Sequence, residues 1–369
     1  MLYKSLVIKI SIPPEKKTKQ KEYLEIGLLP IVDQGKEIIG GYTNEVEKNI
    51  VCNLPVIVFG DHTCSVKYIN FPFGAGADGI KILKAKDNVL PQYLFYGTQY
   101  LVFHLHDRGY ARHYQHIEKM DLYVPPIEEQ RRIVSRIEEL FSELDSAVET
   151  LQKTRQQLEI YRQAVLKEAF QECTVSVKIE DVCIHVTDGD HMPPPKSETG
   201  IPFIMISNIQ NNKINWNNTA FVDSNYFDKI IDKRRPQQGD VLYTVTGSFG
   251  IPVLIDFDKK FCFQRHIALL RPNEKINQKY LYYVMQNPIV YEQARNKATG
   301  TAQKTVGLSV LRKIEIPFVD SLVEQEKIVL NIENKMSVCD SIEKTVNECL
   351  QQAEAMRQSI LKKAFEGEL

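Results

Sequence analysis

The sequence predicts an α+β protein in which two mixed α/β domains alternate with two long helices that pair with each other. Three observations predict it. The stretch from Glu129 to Phe170 recurs without a gap 195 residues later, from Glu324 to Phe365, with 19 of 42 positions identical. Both copies space their apolar residues alternately by three and four and contain neither Gly nor Pro. The segments preceding the two copies also resemble each other, more faintly. An ungapped match of that length marks an internal repeat. The chain therefore reads as domain, helix, domain, helix, over roughly 1–124, 125–172, 173–320 and 321–369.

Bulk properties agree with a globular protein. At 369 residues the chain exceeds one ordinary core, and 43% hydrophobic with 25% charged residues is a globular composition. No apolar run approaches the ~18 residues of a membrane span. The opening "MLYKSLVIKISIPP" alternates apolar residues with Lys and Ser before two prolines, unlike a signal peptide. The seven cysteines are scattered and form no CxxC pair or Cys/His cluster, so neither a disulfide framework nor a zinc site is signalled. This usage suggests a reducing, cytoplasmic compartment. The net charge of −1 hides a segregation. The globular segments are mildly basic and the helical ones acidic, which fits two polyanion-binding heads on an acidic spacer and equally an ordinary solvated surface.

In the first domain, "FGDHTCSVK" (59–67) gathers short polar side chains in one turn, offering Asp61, His62, Thr63 and Lys67 as DNA contacts. The segment "GAGADG" (74–79) is formally a GxGxxG. Pro72 interrupts the run before it and a short strand follows it, so it reads as a glycine-rich loop rather than a dinucleotide site. "NFPF" (70–73) resembles the Asn-Pro-Pro-aromatic element of adenine methyltransferases, but its second position is Phe and no cofactor-binding unit precedes it. "GIKILKAKDNVLPQYLFYGTQ" (79–99) reads as a strand, a turn and an aromatic helix. "HLHDRGYARHYQH" (104–116) clusters His104, His106, His113 and His116 with Arg108, Arg112, Tyr110 and Tyr114. A metal would need converging carboxylates or thiolates, and Asp107 alone is thin support. A basic, aromatic strip facing DNA fits better, with Arg108, Arg112 and His113 as contacts.

The central helix follows Pro125–Pro126. One heptad series is Ile137, Leu144, Leu151, Leu158 and Val165, and its expected partner series is Ile133, Leu140, Ala147, Thr154 and Tyr161. A 3.5-residue period over more than four heptads signals a coiled coil. At ~1.5 Å per residue each helix is roughly 60 Å long. It cannot bury its stripe alone, and the nearest partner is the other copy.

In the second domain, "HIALLRPNEKINQKYLYYVMQ" (266–286) repeats the strand, turn and aromatic helix of 79–99, and "GIPFIM" (200–205) resembles "GLLPIV" (27–32). An offset of 187 places Gly247 on Gly60, making "TVTGSFG" (244–250) the counterpart of the first polar turn, with Thr246 and Ser248 as contacts. "FQRHIALL" (263–270) sets Gln264, Arg265 and His266 at the mouth of a strand. "NKATGTAQKT" (296–305) supplies Lys297, Thr299, Gln303 and Lys304. Each of these loops reads equally well as solvated surface. The second helix has its seam at Ile332, Val346 and Ile360, with Cys339, Ala353 and Lys335 at stripe positions where looser packing is expected. No GxxxxGK[ST], HExxH or GxSxG occurs.

The motifs "VPPIEEQRRIVSRIEELFSELDSAVETLQ" and "TGTAQKTVGLSVLRKIEIPF", and Arg-Gln-x-x-Leu-Lys-x-Ala-Phe at the end of each helix, resemble the specificity subunits of type I restriction–modification systems. The resemblance spans essentially the whole chain. It implies two target recognition domains, each reading half of a split site on double-stranded DNA, and two antiparallel spacer helices related by a pseudo-twofold axis. It implies methyltransferase partners, usually two copies, that carry S-adenosylmethionine and methylate adenine N6. A motor-nuclease subunit can join them, and no active site, cofactor or metal is implied on this chain. One departure is the short, abrupt first domain, which leaves open whether residues precede Met1 or the domain is compact by nature. A stand-alone or fused adenine methyltransferase and a coiled-coil interaction scaffold are the competing readings. The first would need a cofactor-binding domain, which is not visible.

Overall fold

The computed structural model describes residues 1–76, 79–105, 112–191, 194–195, 197–301 and 303–369. They form two compact units, Met1–Gln152 with Val346–Leu369, and Lys153–Thr345. Each unit therefore joins one globular segment to a piece of both long helices.

The first unit holds an antiparallel four-stranded sheet in spatial order Val7–Ile10, Ile80–Ala85, Val56–Gly60, Val66–Ile69. The Val56–Gly60 strand is buried along its whole length, as its unbroken apolar run requires. A second sheet runs Lys17–Thr18, Gly74–Gly76, Leu29–Val32, Gly41–Thr43. Gly74–Gly76, expected to be a loop, is thus a buried strand. A Cβ on Gly76 would stand 2.6 Å from the Asp33 Cβ, so glycine is what admits this strand beside its neighbour.

The second unit repeats this plan. Its antiparallel sheet runs Cys183–Asp188, Ile267–Pro272, Val241–Thr244, Pro252–Leu254. Its second sheet runs Ala220–Val222, Ile201–Ile204, Cys262–Phe263. Ile201–Ile204 is parallel to Cys262–Phe263, as Leu29–Val32 is to Gly74–Gly76. Strand register corrects one expected equivalence. Gly60 lies opposite Ile80 and Thr244 opposite Ile267, so Gly60 corresponds to Thr244, not to Gly247.

The central long helix spans Ile127–Ala169 and the C-terminal long helix Leu322–Glu366. They run antiparallel within each unit. In the first, Arg132 Nη2 donates to the Leu369 carbonyl at 2.8 Å while Arg357 pairs with Asp145. In the second, Lys335 meets Glu168 at 3.2 Å while Arg162 meets Asp340 at 2.7 Å and Glu343 at 2.8 Å. The two Arg–Asp pairs, 162 with 340 and 357 with 145, occupy the same positions of the repeat.

Ile137, Leu144, Leu158, Val165, Ile332 and Val346 are buried on the seam, and Leu151 and Ile360 are half-buried. The expected partner series is shifted in the first unit. Ala147 is exposed and Leu140 only half-buried, whereas Val134 and Phe141 are buried and Val148 is half-buried. The stripe turns by one residue so that Phe141 faces inward and Arg357 covers its ring, 4.4 Å from the centroid. In the second unit Tyr161 is exposed and the half-buried Arg162 takes its place. Cys339 and Ala353 are both buried.

A fully buried glutamine begins each long helix. Gln130 accepts from the Leu90 amide at 2.9 Å and donates to the Asn88 and Pro125 carbonyls at 3.0 and 2.8 Å. Gln325 accepts from Asn277 at 2.7 Å and donates to Lys275 and Val319 at 2.9 and 2.7 Å. A buried phenylalanine ends each helix and packs on the globular segment that the other helix's glutamine holds. Phe365 meets Tyr93 at 4.9 Å and Phe170 meets Tyr280 at 5.3 Å between ring centroids. The two tyrosines donate to the Tyr123 and Pro317 carbonyls. Replacing either glutamine by Ala orphans one amide and two carbonyls, a loss of about 2–4 kcal/mol. Gln325→Ala is expected to lower the urea midpoint read by the fluorescence of Trp216, the single tryptophan, which lies in the second unit. An unchanged midpoint would mean that the glutamine does not hold that unit.

Candidate nucleic-acid interface

The same backbone frame gathers loops at one end of each antiparallel sheet. In the first unit the Asp61 amide donates to the Gly79 carbonyl at 2.6 Å, and the His113 amide donates to the Asp61 carbonyl at 2.9 Å. In the second the Val245 amide donates to His266 at 2.9 Å, and the Val306 amide donates to Val245 at 2.8 Å. The residue that follows the inner strand thus receives two loops, one entering the adjacent strand and one returning from the aromatic helix. The polar segments singled out in the sequence are the loops that this frame collects.

In the second unit Thr246, Arg265, His266 and Gln303 line one depression together with Asp188, His191 and Thr305. The returning loop is held by paired Thr299 and Thr305 backbone hydrogen bonds of 2.9 and 2.7 Å, and Gly247 donates to the Lys304 carbonyl. Gly300 lies at φ +108°, where a Cβ would strike the Gln303 carbonyl oxygen at 2.3 Å. The turn leaves Lys297, Thr299, Gln303 and Lys304 exposed. Ser248 and Arg265 are also exposed, Gln264 and His266 are half-buried, and Thr246 is buried with its hydroxyl 3.4 Å from that of Thr305. The Arg265 guanidinium makes no hydrogen bond or ion pair among the described residues, although its backbone amide is fixed on the Asp190 carbonyl at 3.0 Å.

The segment 187–191 was missed. His191 Nε2 lies 2.8 Å from Asp188 Oδ2, and Arg234 pairs with the same carboxylate at 3.2 Å. Tyr226 donates to Asp190 at 2.7 Å; burial, then that carboxylate, pushes the phenol well above its ordinary range. A Cβ on Gly189 would come within 1.9 Å of the Phe263 carbonyl oxygen, so only glycine lets this segment close on the strand mouth. The run "TDGDH" carried that signal.

In the first unit several expected contacts prove structural. Lys67 is buried and its ammonium donates to the Asp33 carbonyl at 2.8 Å, with the Asp33 carboxylate 3.6 Å away. Burial lowers its pKa while Asp33 opposes that shift. Expected as a DNA contact, Lys67 is instead an internal tie. Asp61 is buried too. It accepts from the Tyr114 amide at 2.9 Å and pairs with Lys81 at 3.3 Å. His113 is buried behind it. Thr63 and Arg112 are exposed, and His62 is half-buried. The Thr63 hydroxyl is anchored on the Gln34 carbonyl. Arg108, with His106, Asp107 and Tyr110, lies outside the described residues.

Exposed Arg, Lys, Thr, Ser and Gln side chains on loops with fixed backbones suit hydrogen bonding to phosphates and base edges. No group of His, Cys, Asp and Glu among the described residues could hold a metal. The Cys183 and Cys262 thiols are pushed up to about 12, chiefly by burial, which makes them poor nucleophiles. No helix among the described residues is long and apolar enough to cross a membrane.

Fold and loops together define a duplicated protein with a polar face on each unit. Residues 174–352 match the sequence model of the family described as "Type I restriction modification DNA specificity domain". The type I restriction enzyme EcoBI specificity subunit of Escherichia coli is 27% identical over 277 residues, covering 67% of this chain and 58% of that protein. The EcoKI specificity subunit of E. coli K12 is 26% identical, covering 68% and 58%. The MjaVIII specificity subunit of Methanocaldococcus jannaschii is 23% identical, covering 71% and 69%. The matched region spans 58% of the length of the first two relatives. A chain of the structure described as "Structural basis underlying complex assembly and conformational transition of the type I R-M system" superposes with a TM-score of 0.70 at 17% identity, covering 100% and 97%. The HsdS subunit from Thermoanaerobacter tengcongensis gives 0.52 at 17%, covering 100% and 96%. At such identities these structures establish the fold. Residues 174–352 thus carry the match to the type I restriction modification DNA specificity domain, and the chain resembles type I restriction enzyme specificity subunits along about two thirds of its length.

Asp61→Ala removes the acceptor of the Tyr114 amide and the partner of Lys81. A loss of about 1–3 kcal/mol predicts roughly ten- to hundredfold faster hydrogen exchange at Tyr114. The Val306 amide of the other unit serves as the internal control. Equal exchange in mutant and wild type would mean that the Asp61 carboxylate does not hold the Tyr114 amide.

Proposed function

We propose that this chain is the DNA-recognition subunit of a type I restriction–modification complex, each unit reading one half of a split double-stranded site. The observation that carries the reading is that both units hold loops on one backbone frame and furnish them with different side chains. The match of residues 174–352 to the DNA specificity domain and the likeness to type I specificity subunits point the same way. Two heads with one frame and unlike side chains suit an asymmetric bipartite site. In this reading the four segments 1–124, 125–172, 173–320 and 321–369 are recognition domain, spacer, recognition domain and spacer.

Methyl transfer to adenine N6, with its S-adenosylmethionine, belongs in this reading to methyltransferase subunits docked on the chain in two copies, which a motor-nuclease subunit can join. This chain contributes position and sequence choice. Lys297 and Lys304 flank an exposed turn and present compact charges, which suits phosphate. Arg265 presents a planar fork with no competing partner among the described residues, which suits guanine O6 and N7. Thr299, Gln303, Ser248, Gln264 and His266 border the same face, as Thr63, His62 and Arg112 border that of the first unit.

Binding of the methyltransferase complex to cognate and single-base-variant duplexes, measured across salt concentrations, tests these roles. Lys297→Ala or Lys304→Ala should weaken binding to all sequences and lower the salt slope by roughly one unit. Arg265→Ala should cost about 1–3 kcal/mol on the cognate site and relax discrimination at one base pair. An unchanged cognate-to-variant ratio would end the base-reading role of Arg265. Exchanging residues 173–320 for those of a relative should change one half of the methylated sequence. A change in both halves would rule out independent heads.

A further inference from the structure

The repeat places a matching groove beside the aromatic helix of each unit. In the first, Phe95, Tyr96 and Gln99 face Glu138 and Phe141 of the central helix and Arg357 of the C-terminal helix, around a depression of about 400 Å³. In the second, Tyr282 and Tyr283 face Glu333. Phe95 and Tyr96 pack at 5.0 Å and 57°, and Tyr282 and Tyr283 at 5.0 Å and 60°, so the geometry is duplicated. The occupancy is not. In the second groove Lys279 places its ammonium 2.7 Å from the Glu333 carboxylate. The position equivalent to Lys279 in the first unit is Gln92. Glu138 is exposed and makes no hydrogen bond or ion pair among the described residues. Arg357 shares the groove wall, but its charge is matched by Asp145 and its guanidinium lies over Phe141.

We infer that the first groove is a docking site for a lysine or arginine side chain of a partner protein chain. Lys279 is the internal stand-in for that cation in the second groove. An unpaired carboxylate beside two aromatic rings offers a cation both charge and ring faces. The inference is independent of DNA reading. Under the proposed function it makes the two copies of one docked partner unequal, because only one groove is open.

The test uses the full chain with ring-labelled Tyr and Phe, titrated with N-acetyl-argininamide and, separately, with the neutral isostere N-acetyl-citrullinamide. The cationic probe should shift the Phe95 and Tyr96 ring signals saturably and leave those of Tyr282 and Tyr283 unmoved. Glu138→Gln should weaken that binding by about fivefold, the upper size of an exposed ion pair, because the rings stay in place. Lys279→Gln should open the second groove and bring Tyr282 and Tyr283 into the response. Equal shifts with the neutral probe, undiminished binding by the Glu138→Gln chain, or a second groove still closed in the Lys279→Gln chain would each overturn the inference. Because neither DNA nor methyltransferase is present, such a failure would leave the DNA reading intact.

Discussion

Each globular segment is held between the first turn of one long helix and the last turn of the other. The glutamine at the start is buried with both ends of its amide committed to backbone. The phenylalanine at the end lies on a tyrosine of the aromatic helix. A buried amide left unmade costs more than the same bond contributes when formed, so this contact selects one position of the helix against the globular segment. It also explains why the chain needs the same helix twice. Each helix has one such buried glutamine at its start and one such phenylalanine at its end, and each segment uses one of each from different helices.

The seam between the helices is less uniform than the clamps. Ile137, Leu144, Leu158 and Val165 bury a regular stripe, but the facing stripe includes Cys339 and Ala353. Small residues there leave less apolar surface to bury, and the remaining contact falls to Arg162 and Arg357. Both are long enough to cover an apolar neighbour with the stem while the head reaches an acid. Exposed ion pairs of this kind contribute little in isolation, about 0–1 kcal/mol. Their recurrence at equivalent positions sets register rather than strength.

The repeat, both helices and the polar loops were legible because each is a local pattern: identity at a fixed offset, a 3.5-residue period, clusters of short polar residues. What was illegible depended on distant partners. Lys67 in a Gly, Ser and Thr turn reads as solvated, yet its burial is decided by Asp33, a segment 34 residues upstream. Asp61 reads as a surface acid until Lys81 and the Tyr114 amide converge on it. Gly74–Gly76 reads as a turn because glycine is the usual turn residue, whereas here it allows close strand approach. The shifted seam has the same cause. Ile133 fits the heptad and is buried, but further on Phe141 rather than Leu140 is buried, packed against Tyr96 of the globular segment.

The frame that gathers the loops is made from backbone. Asp61 and Val245 occupy the same place, donate to Gly79 and His266, and accept from His113 and Val306. Their side chains share no chemistry, one a buried carboxylate and the other a hydrocarbon. A loop anchored by amides and carbonyls at its ends is free in the side chains between them, apart from glycines at φ > 0 such as Gly300. Such a frame lets the face of one unit differ from the other while the strands beneath keep one order. A protein that must present two unlike polar surfaces from one duplicated architecture needs this separation of support from contact. The buried glutamines, the terminal phenylalanines and the backbone frame supply the support, which leaves Arg265, Lys297, Lys304, Thr63 and Arg112 exposed.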